Sequence, residues 1–414
     1  MPSPSDIKSN VITSDHVRTI VNRAFDDRTE IVDYQILPYC NYAIGFLGSH
    51  KNLEVTVQRA NGTDREKRNF FAKAVPQESV LQTTFIRQRR VFNQEADFYN
   101  EMMPLLLDSY QGEPWAPKCY LANEDFVVLE DVRGKGYRMC ENKMLTADHL
   151  ISAARALARM HACSVLAEKK LGKPLKDVCP KACVEQIFNQ NSKDRGLFDL
   201  MIELIEKIAR EHGRDPAMIG PAFEKAYNKI GNPRERNQVV SHTDTWPNNF
   251  MFNLDDPSKC LILDFQLVRY GNRMWDVAQL VYFSTSREIR DKGDVQHYVV
   301  KAYHEEFNEV IRRHDADVHL PSLSDTLDEY EDARLLGFFS ALFYFPFLLV
   351  GSEEYLRLKD NPEDSYNMYI LRSNNDSVLK YMKKNKEYAR RITETALELT
   401  DYCKKLFLKQ NNGA

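Results

Sequence analysis

The chain has 414 residues, of which 43% are hydrophobic and 28% are charged, and its formal net charge is −4. This length exceeds that of one ordinary domain and predicts two lobes or two domains. The near-average composition excludes a disordered or collagen-like chain, and the slight acidic excess argues against a nucleic-acid-binding protein.

The first residues lack the basic and then apolar pattern of a signal peptide, and the cysteines show no repeating spacing. Both features favour a cytoplasmic protein with free thiols over a secreted, disulfide-linked one. The most apolar stretch, 335–350, is shorter than the roughly 18 residues that a membrane span needs, and it contains Ser340 and Pro346. We therefore expect a core helix there and no membrane segment.

The first third of the chain combines strand and helix patterns. Ser14 is a typical N-cap for a short amphipathic helix, and residues 53–57 alternate apolar and polar as a half-buried strand does. Asn61-Gly62 predicts a hairpin turn, and Pro76 ends the strand that returns. The further predicted elements are a strand over 69–75, a helix over 92–106 and a strand over 126–130.

From Ala147 onward helical spacing dominates, with a short β-rich break at 253–265. The helical patterns cover residues 151–161, 197–212, 299–311, 334–349 and 388–408. The simplest architecture is α+β, with a small sheet-bearing N-lobe and a large, mainly helical C-lobe. We expect an N-terminal helical extension over 1–30, the N-lobe over 31–130 and the C-lobe over 131–414.

Three polar residues between apolar flanks are the candidate catalytic and metal-binding residues in the second half of the chain. Asp244 and Asn249 share one loop with Pro247, and Asp264 ends the apolar strand that follows. A carboxylate that can accept a proton, together with an Asn and an Asp that can hold a hard cation, suits phosphoryl transfer.

The first half supplies a matching basic residue. Lys73 lies in the apolar strand 69–75, where a buried lysine requires a charged or polar partner. Glu95 on the following helix is a candidate partner that would aim the ammonium at nucleotide phosphates. The alternative is an edge-strand lysine that points to water, and the downstream array of acids makes this alternative the weaker one.

Two motifs resemble those of protein-kinase-like small-molecule phosphotransferases, which include choline kinases and aminoglycoside phosphotransferases. His242-Thr-Asp-x-x-x-x-Asn249 is similar to their catalytic loop, and Leu263-Asp-Phe-Gln266 to their metal-binding segment. More narrowly, the chain resembles the ecdysteroid kinase-like family from about Val32 to Leu349. The motifs behind this similarity are Phe71-Ala-Lys-Ala-Val-Pro76, Phe92-Asn-Gln-Glu-Ala-Asp-Phe-Tyr99, Pro117-Lys-Cys-Tyr120, Val128-Leu-Glu-Asp-Val132, Leu157-Ala-Arg-Met-His-Ala162 and Leu263-Asp-Phe-Gln-Leu-Val-Arg-Tyr-Gly271.

The resemblance implies a protein-kinase-like two-lobe fold with a small antiparallel sheet in its nucleotide-binding N-lobe, and a catalytic loop within 240–266. It implies that Asp244 is the catalytic base and that Asn249 and Asp264 are Mg²⁺ ligands. Trp246 lies inside the catalytic loop, where neighbouring residues must face the cleft, and is a candidate substrate contact.

The resemblance also implies how ATP is held. Lys73 and Glu95 would form the lysine–glutamate pair that positions the phosphates. The remaining implied residues are Glu130, Asp131 and Val132, in the connector whose backbone receives adenine, and His242 and Asp276, which brace the catalytic loop.

The chain departs from the family pattern at two places. Thr243 stands where many relatives have Gly, and a β-branched residue restricts the loop backbone more than Gly does. The phosphate-covering turn from Tyr39 to Gly45, with Gly48 further on, is not a regular Gly-rich loop. Both departures predict reduced nucleotide affinity.

A small molecule is favoured over a peptide as the acceptor. Asp276, in a segment that looks like the bracing helix, follows Asp264 too closely to leave room for a peptide-binding activation segment. The long connection between His161 and His242 has helical patterns that would wall a substrate pocket. The aromatic residues around 282–283 and 338–347 fit either an apolar pocket for a ring system or the helical core.

These observations predict an ATP- and Mg²⁺-dependent kinase that phosphorylates a hydroxyl of an ecdysteroid or a xenobiotic alcohol. Choline-like and aminoglycoside-like acceptors are less favoured because no acidic cluster for a cation is evident. The alternative from another class is a catalytically silent kinase-like protein that binds a ligand or partner. We expect a monomer or a weak homo-oligomer.

Overall fold

A computed structural model describes most of the chain. The described residues are 11–39, 47–59, 64–77, 80–108, 110–141, 143–188, 195–230, 237–292, 294–314, 317–351, 354 and 374–412. The predicted hairpin turn at Asn61-Gly62 and residues 40–45 of the phosphate-covering turn lie outside them.

An antiparallel sheet forms the N-terminal part of the molecule. Within the described residues, its five strands have the order β1-β2-β3-β5-β4, and every neighbouring pair is antiparallel. The strands are β1 (Glu30–Pro38), β2 (Ser49–Gln58), β3 (Arg65–Ala74), β4 (Cys119–Ala122) and β5 (Phe126–Glu130). The prediction of a small antiparallel-sheet lobe is confirmed.

Helix α1 (Ser14–Ala24) packs on this sheet. Its buried residues Val17, Ile20 and Val21 share one hydrophobic core with alternate residues of β2, such as Leu53 and Val55. The N-cap is Thr13, whose side chain accepts from the N–H of His16, so the helix begins one residue after Thr13. The prediction of Ser14 as the N-cap was wrong by one residue.

Between β3 and β4 the chain is helical. The elements are α2 (Val80–Gln88), α3 (Val91–Asp97), a π-helical turn (Phe98–Met102) and α4 (Met103–Leu107). The predicted helix over 92–106 is therefore interrupted by a turn that widens the helix. Helix α3 carries Glu95, which is buried on the side that faces β3.

The rest of the chain is mainly helical, as predicted. Its helices are α5 (Ala147–Leu171), α6 (Leu175–Val178), α7 (Arg195–Glu211), α8 (Ile219–Ile230), α9 (Arg273–Ser284), α10 (Arg287–Asp291), α11 (Val295–His314), α12 (Leu323–Leu348), α13 (Asn375–Lys384) and α14 (Lys386–Asn412). Helices α9 and α12 pack closely at Gly337, where a Cβ atom would lie 2.6 Å from Cδ2 of Tyr282. In the described part of the chain, none of the helices combines the length and the apolar character that a bilayer crossing requires.

Short strands in the helical part hold two loops side by side. The strands are β6 (Tyr137–Met139), β7 (Gln238–Ser241), β8 (Phe250–Asn253), β9 (Cys260–Ile262) and β10 (Arg269–Asn272). Strand β7 pairs with β10, and β8 pairs with β9. Loop 242–249 therefore runs beside loop 263–268. Asp264 lies two residues beyond the end of β9, so the expectation that it ends the strand was wrong.

Candidate active site

A cleft of about 400 Å³ lies between the sheet and the helical part of the chain. Strands β2, β3 and β5 line one side, and loops 242–249 and 263–268 line the other. The predicted site residues that line the cleft are Lys73, Glu95, Glu130, Val132, Asp244, Trp246, Asn249 and Asp264. Residues predicted from distant parts of the sequence therefore share one cavity.

Lys73 joins the two sides of the cleft. Its Nζ donates to Glu95 Oε2 at 2.8 Å, to Asp264 Oδ1 at 2.6 Å and to Gln266 Oε1 at 3.1 Å. Burial alone would lower the pKa of Lys73, but the carboxylates of Asp264 and Glu95 raise it above its usual range. The lysine is therefore a buried cation held by two acids, and it does not point to water.

Gly48 allows the chain before β2 to pass directly over Lys73. A Cβ atom at Gly48 would lie 2.8 Å from Lys73 Cγ, which is closer than side-chain carbon atoms approach one another. This close approach is a physical reason for glycine at this position. Gly48 therefore contributes to the position of the lysine.

Asp276 fixes the start of loop 242–249. Its carboxylate accepts from the backbone N–H groups of His242, at 2.6 Å, and Thr243, at 2.8 Å, and from His161 Nε2 at 3.0 Å. Burial alone would raise the pKa of Asp276, but His161 and His242 lower it below its usual range. A buried anion with several donors is a stable anchor for a loop. The sequence indicated His161 only as part of a family motif and as the start of the connection to His242, and predicted no role for its side chain.

His242 connects the two loops. Its Nε2 donates to the carbonyl of Leu263 at 2.8 Å, and its Nδ1 accepts from the N–H of Asp244 at 3.2 Å. Burial lowers the pKa of His242, which favours the neutral ring that these two bonds require. His242 thus holds Asp244 and Leu263, which directly precedes Asp264, in a fixed relation.

Thr243 adopts a left-handed backbone conformation with φ of 65°. Such a conformation is strained for a β-branched residue. The Thr243 hydroxyl donates to the carbonyl of Leu267 at 2.6 Å, which is a bond that glycine cannot make. The departure from the family pattern therefore has a local compensation within the two loops.

Asp244 and Asn249 contact each other inside the cleft. Asn249 Nδ2 donates to the Asp244 carbonyl at 2.7 Å and to Asp244 Oδ2 at 3.0 Å. Burial, together with the Asp264 carboxylate, raises the pKa of Asp244 to about 7. Near neutral pH this carboxyl is therefore close to half ionised and can take up a proton.

Asn249 and Asp264 have the donor atoms that Mg²⁺ prefers. Because Nδ2 of Asn249 is engaged by Asp244, the amide oxygen is the atom that can ligate a cation. The side chain of Asp264 is 26% exposed and uses Oδ1 for Lys73. A carboxylate and an amide oxygen beside a phosphate site suit Mg²⁺, which binds few protein ligands and keeps several waters.

The end of β5 and the connector that follows it line part of the cleft. Glu130 and Val132 lie in its wall, and Glu130 pairs with Lys135 at 2.7 Å. The Asp131 side chain instead accepts from the N–H of Arg133 and pairs with the Arg133 guanidinium at 2.6 Å. Asp131 could therefore serve a nucleotide through its backbone alone.

Much of the remaining cleft wall is apolar. Of the aromatic residues considered from the sequence, Tyr344 and Phe347 line the cleft together with Trp246, whereas Phe338 and Phe339 are buried in the core. Other residues of the wall are Phe85, Arg89, Val91, Gln186, Ile187, Leu197, Asn248, Leu267 and Leu348. Ile187 and Leu197 belong to the connection between His161 and His242, whose helical patterns were expected to wall a substrate pocket. Nothing in the sequence indicated Gln186.

Gln94 connects helix α3 to the cleft wall at Gln186. Its Nε2 donates to the carbonyls of Val268, at 2.5 Å, and Val184, at 3.2 Å, and its Oε1 accepts from Gln186 Nε2. Gln94 is buried and directly precedes Glu95. One turn of α3 therefore contacts both Lys73 and the wall at Gln186.

The sequence family of the chain indicates a small-molecule phosphotransferase with a kinase-like fold. The sequence profile of the ecdysteroid kinase-like family matches residues 45–315, which is more than half of the chain. The chain belongs to this family. No curated protein sequence matches this chain.

Several solved structures are similar in fold. The ethanolamine kinase of Plasmodium vivax has 11% identity and a TM-score of 0.42, over 94% of this chain and 89% of that one. The macrolide 2′-phosphotransferase of Brachybacterium faecium has 9% identity and a TM-score of 0.37, over 86% of this chain and 96% of that one. The streptomycin–ATP ternary complex of APH(2″)-IIa has 12% identity and a TM-score of 0.37, over 86% of this chain and 99% of that one.

Proposed function

We propose that the protein transfers the γ-phosphoryl group of ATP to a hydroxyl of a small apolar alcohol, such as an ecdysteroid or a xenobiotic. The observation that carries this proposal is the contact of Lys73 with both Glu95 and Asp264, in a cleft that also holds Asp244. This arrangement combines a cation for phosphate oxygens, a carboxylate for a metal and a carboxyl for a proton.

Asp244 is the proton acceptor in this proposal. As the acceptor oxygen forms its bond to the γ-phosphorus, the bond between that phosphorus and the ADP oxygen breaks. The hydroxyl proton passes to the Asp244 carboxylate, whose pKa of about 7 suits a base that works near neutral pH. His242 and Asp276 keep the Asp244 loop in place through the bonds described above.

Lys73 binds phosphate oxygens, and Glu95 keeps the lysine aimed at them. Asn249 and Asp264 would hold Mg²⁺, which supplies positive charge to the phosphate oxygens when bound. Glu130, Asp131 and Val132 would receive adenine through their backbone. We propose 31–130 as the nucleotide-binding lobe, 131–414 as the lobe that binds the acceptor, and 1–30 as a helical extension.

The walls of the cleft favour a neutral acceptor. Among the described residues that line it, the carboxylates are Glu95, Glu130, Asp244 and Asp264. Each of these has a role in the proposed nucleotide site or in catalysis, and the other described residues that line the cleft include Arg89 and no acid. A cationic acceptor would lack a counter-charge there, whereas an apolar ring system would bury its surface against Trp246 and Phe347. Trp246 is the proposed substrate contact.

We also propose that the protein is cytoplasmic and that it acts as a monomer or a weak homo-oligomer. The proposed reaction depends neither on the compartment nor on the oligomeric state.

The test is a screen of steroid, phenolic and amino alcohols for ATP-dependent incorporation of phosphate. We expect incorporation into at least one neutral alcohol, and an Asp244→Asn variant should lower turnover by roughly 10²–10⁴-fold because a positioned base is lost. Asp328→Asn is the matched control, since this carboxylate is exposed on α12 and does not line the cleft.

Near-full activity of Asp244→Asn would remove this residue from the role of base. Nucleotide binding with no transfer to any alcohol would favour the alternative of a catalytically silent, ligand-binding protein.

A further inference from the structure

The ammonium group of Lys73 is fully engaged in the cleft. A lysine carries three N–H donors, and Lys73 Nζ meets three side-chain oxygens, of Glu95, Asp264 and Gln266, within 3.1 Å. The Lys73 side chain is only 7% exposed. A phosphate oxygen can therefore bond to this lysine only if one of the three oxygens leaves.

The three partners differ in how readily they can leave. Glu95 is buried and also accepts a hydrogen bond from the backbone of Phe265, so it is held from two sides. Asp264 carries a charge and makes the shortest of the three bonds, at 2.6 Å. Gln266 is neutral, makes the longest bond, at 3.1 Å, and lines the cleft. Bonds between two charged groups are the stronger ones, so Gln266 is the partner that gives way.

We propose that Gln266 is a positioning residue that accepts from the third donor of Lys73 before a nucleotide binds and yields this donor to the triphosphate. This inference rests on the proposed function. Gln266 keeps a buried ammonium satisfied before the nucleotide arrives, and the nucleotide must displace it. The residue therefore stabilises the empty protein and lowers its affinity for nucleotide.

Substitution of Gln266 by Leu separates this role from a direct contact with nucleotide. Leu has a similar size, offers no acceptor and leaves little space for a water molecule. Because the competing bond is lost, we expect Gln266→Leu to bind MgATP about 2- to 10-fold more tightly, the range for one net hydrogen bond. Gln266→Glu adds a third carboxylate around Lys73 and should bind MgATP more weakly than the wild type.

The measurement is isothermal titration calorimetry with MgATP and no acceptor, together with the melting temperature of each empty protein. Gln266→Leu should melt lower than the wild type while binding nucleotide more tightly, a combination that a merely structural role does not produce. Gln279→Leu is the matched control, since Gln279 is equally buried on α9 and does not line the cleft. It should melt lower with unchanged affinity.

Equal or weaker binding of MgATP by Gln266→Leu overturns this inference and leaves the proposed function intact. A wild-type protein that does not bind MgATP overturns both. The two failures are therefore distinguishable in one set of titrations.

Discussion

Two buried aspartates of the catalytic loop region have opposite acid–base properties. Asp276 accepts two backbone N–H groups and a histidine bond, and its pKa is lowered. Asp244 has Asn249 as its side-chain donor and lies near Asp264, and its pKa is raised to about 7. The same residue type is therefore a fixed anion in one place and the proposed proton acceptor in the other, because the hydrogen-bond donors and the neighbouring charges differ.

The raised pKa of Asp244 predicts the pH dependence of the reaction. Only the ionised carboxylate can accept the proton, so kcat/KM for the acceptor should rise with pH through about 7 and fall about tenfold per pH unit well below it. The check is a kcat/KM profile from pH 5.5 to 8.5 with any acceptor found in the screen. A profile that is flat between pH 5.5 and 8 would contradict the role of Asp244.

At the scale of elements, two strand pairs position the proposed catalytic residues. Pairing of β7 with β10 and of β8 with β9 sets loop 242–249 beside loop 263–268. His242 and Thr243 each donate from one loop to a carbonyl of the other. The geometry of Asp244 relative to Asp264 is thus determined by local backbone pairing and by two side chains.

The Thr243 hydroxyl should contribute measurably to this arrangement. Thr243→Val keeps the β-branch and its strain but loses the bond to Leu267, whereas Thr243→Gly loses both the bond and the strain. We expect the Val variant to be less stable than the wild type by about 1 kcal/mol, the net contribution of one hydrogen bond. It should also be less stable than the Gly variant by about 1–2 kcal/mol, the cost of left-handed backbone at a non-glycine residue. Urea denaturation measures both differences. Thr243→Ser, which keeps a hydroxyl, is the control.

If Thr243→Val unfolds at the same urea concentration as the wild type, the bond to Leu267 does not stabilise the loop.

The strongly periodic elements could be predicted from the sequence, and the irregular ones could not. From Leu53 onward strand β2 alternates buried and half-buried residues, and the long helices carry apolar residues at helical spacing. Strand β1 lies at the sheet edge with Ile36 as its one buried residue, and β4 has four residues, so neither produces a periodic pattern. The cap at Thr13 was misplaced because two hydroxyl residues stand side by side.

At the scale of the whole molecule, the cleft exists because the two lobes place complementary groups opposite each other. Residue types alone indicated Lys73, Asp244, Asn249 and Asp264, since buried or loop-borne polar groups between apolar flanks are conspicuous in a sequence. The bond from Lys73 to Gln266 and the place of Gln186 in the cleft wall were not predictable. They depend on side chains that meet only after segments far apart in the chain have packed together.

The central claim is that Lys73 from the sheet and Asp264 from the helical part hold one MgATP between them. Calorimetric titration of MgATP into the wild type, Lys73→Met and Asp264→Asn tests it most directly, with Asp328→Asn as the control outside the cleft. We expect one site in the wild type and the control, and affinity about 10- to 100-fold weaker in both cleft variants, the range for loss of a charged hydrogen bond. Binding by both cleft variants at wild-type affinity, or no binding by the wild type, would contradict the claim.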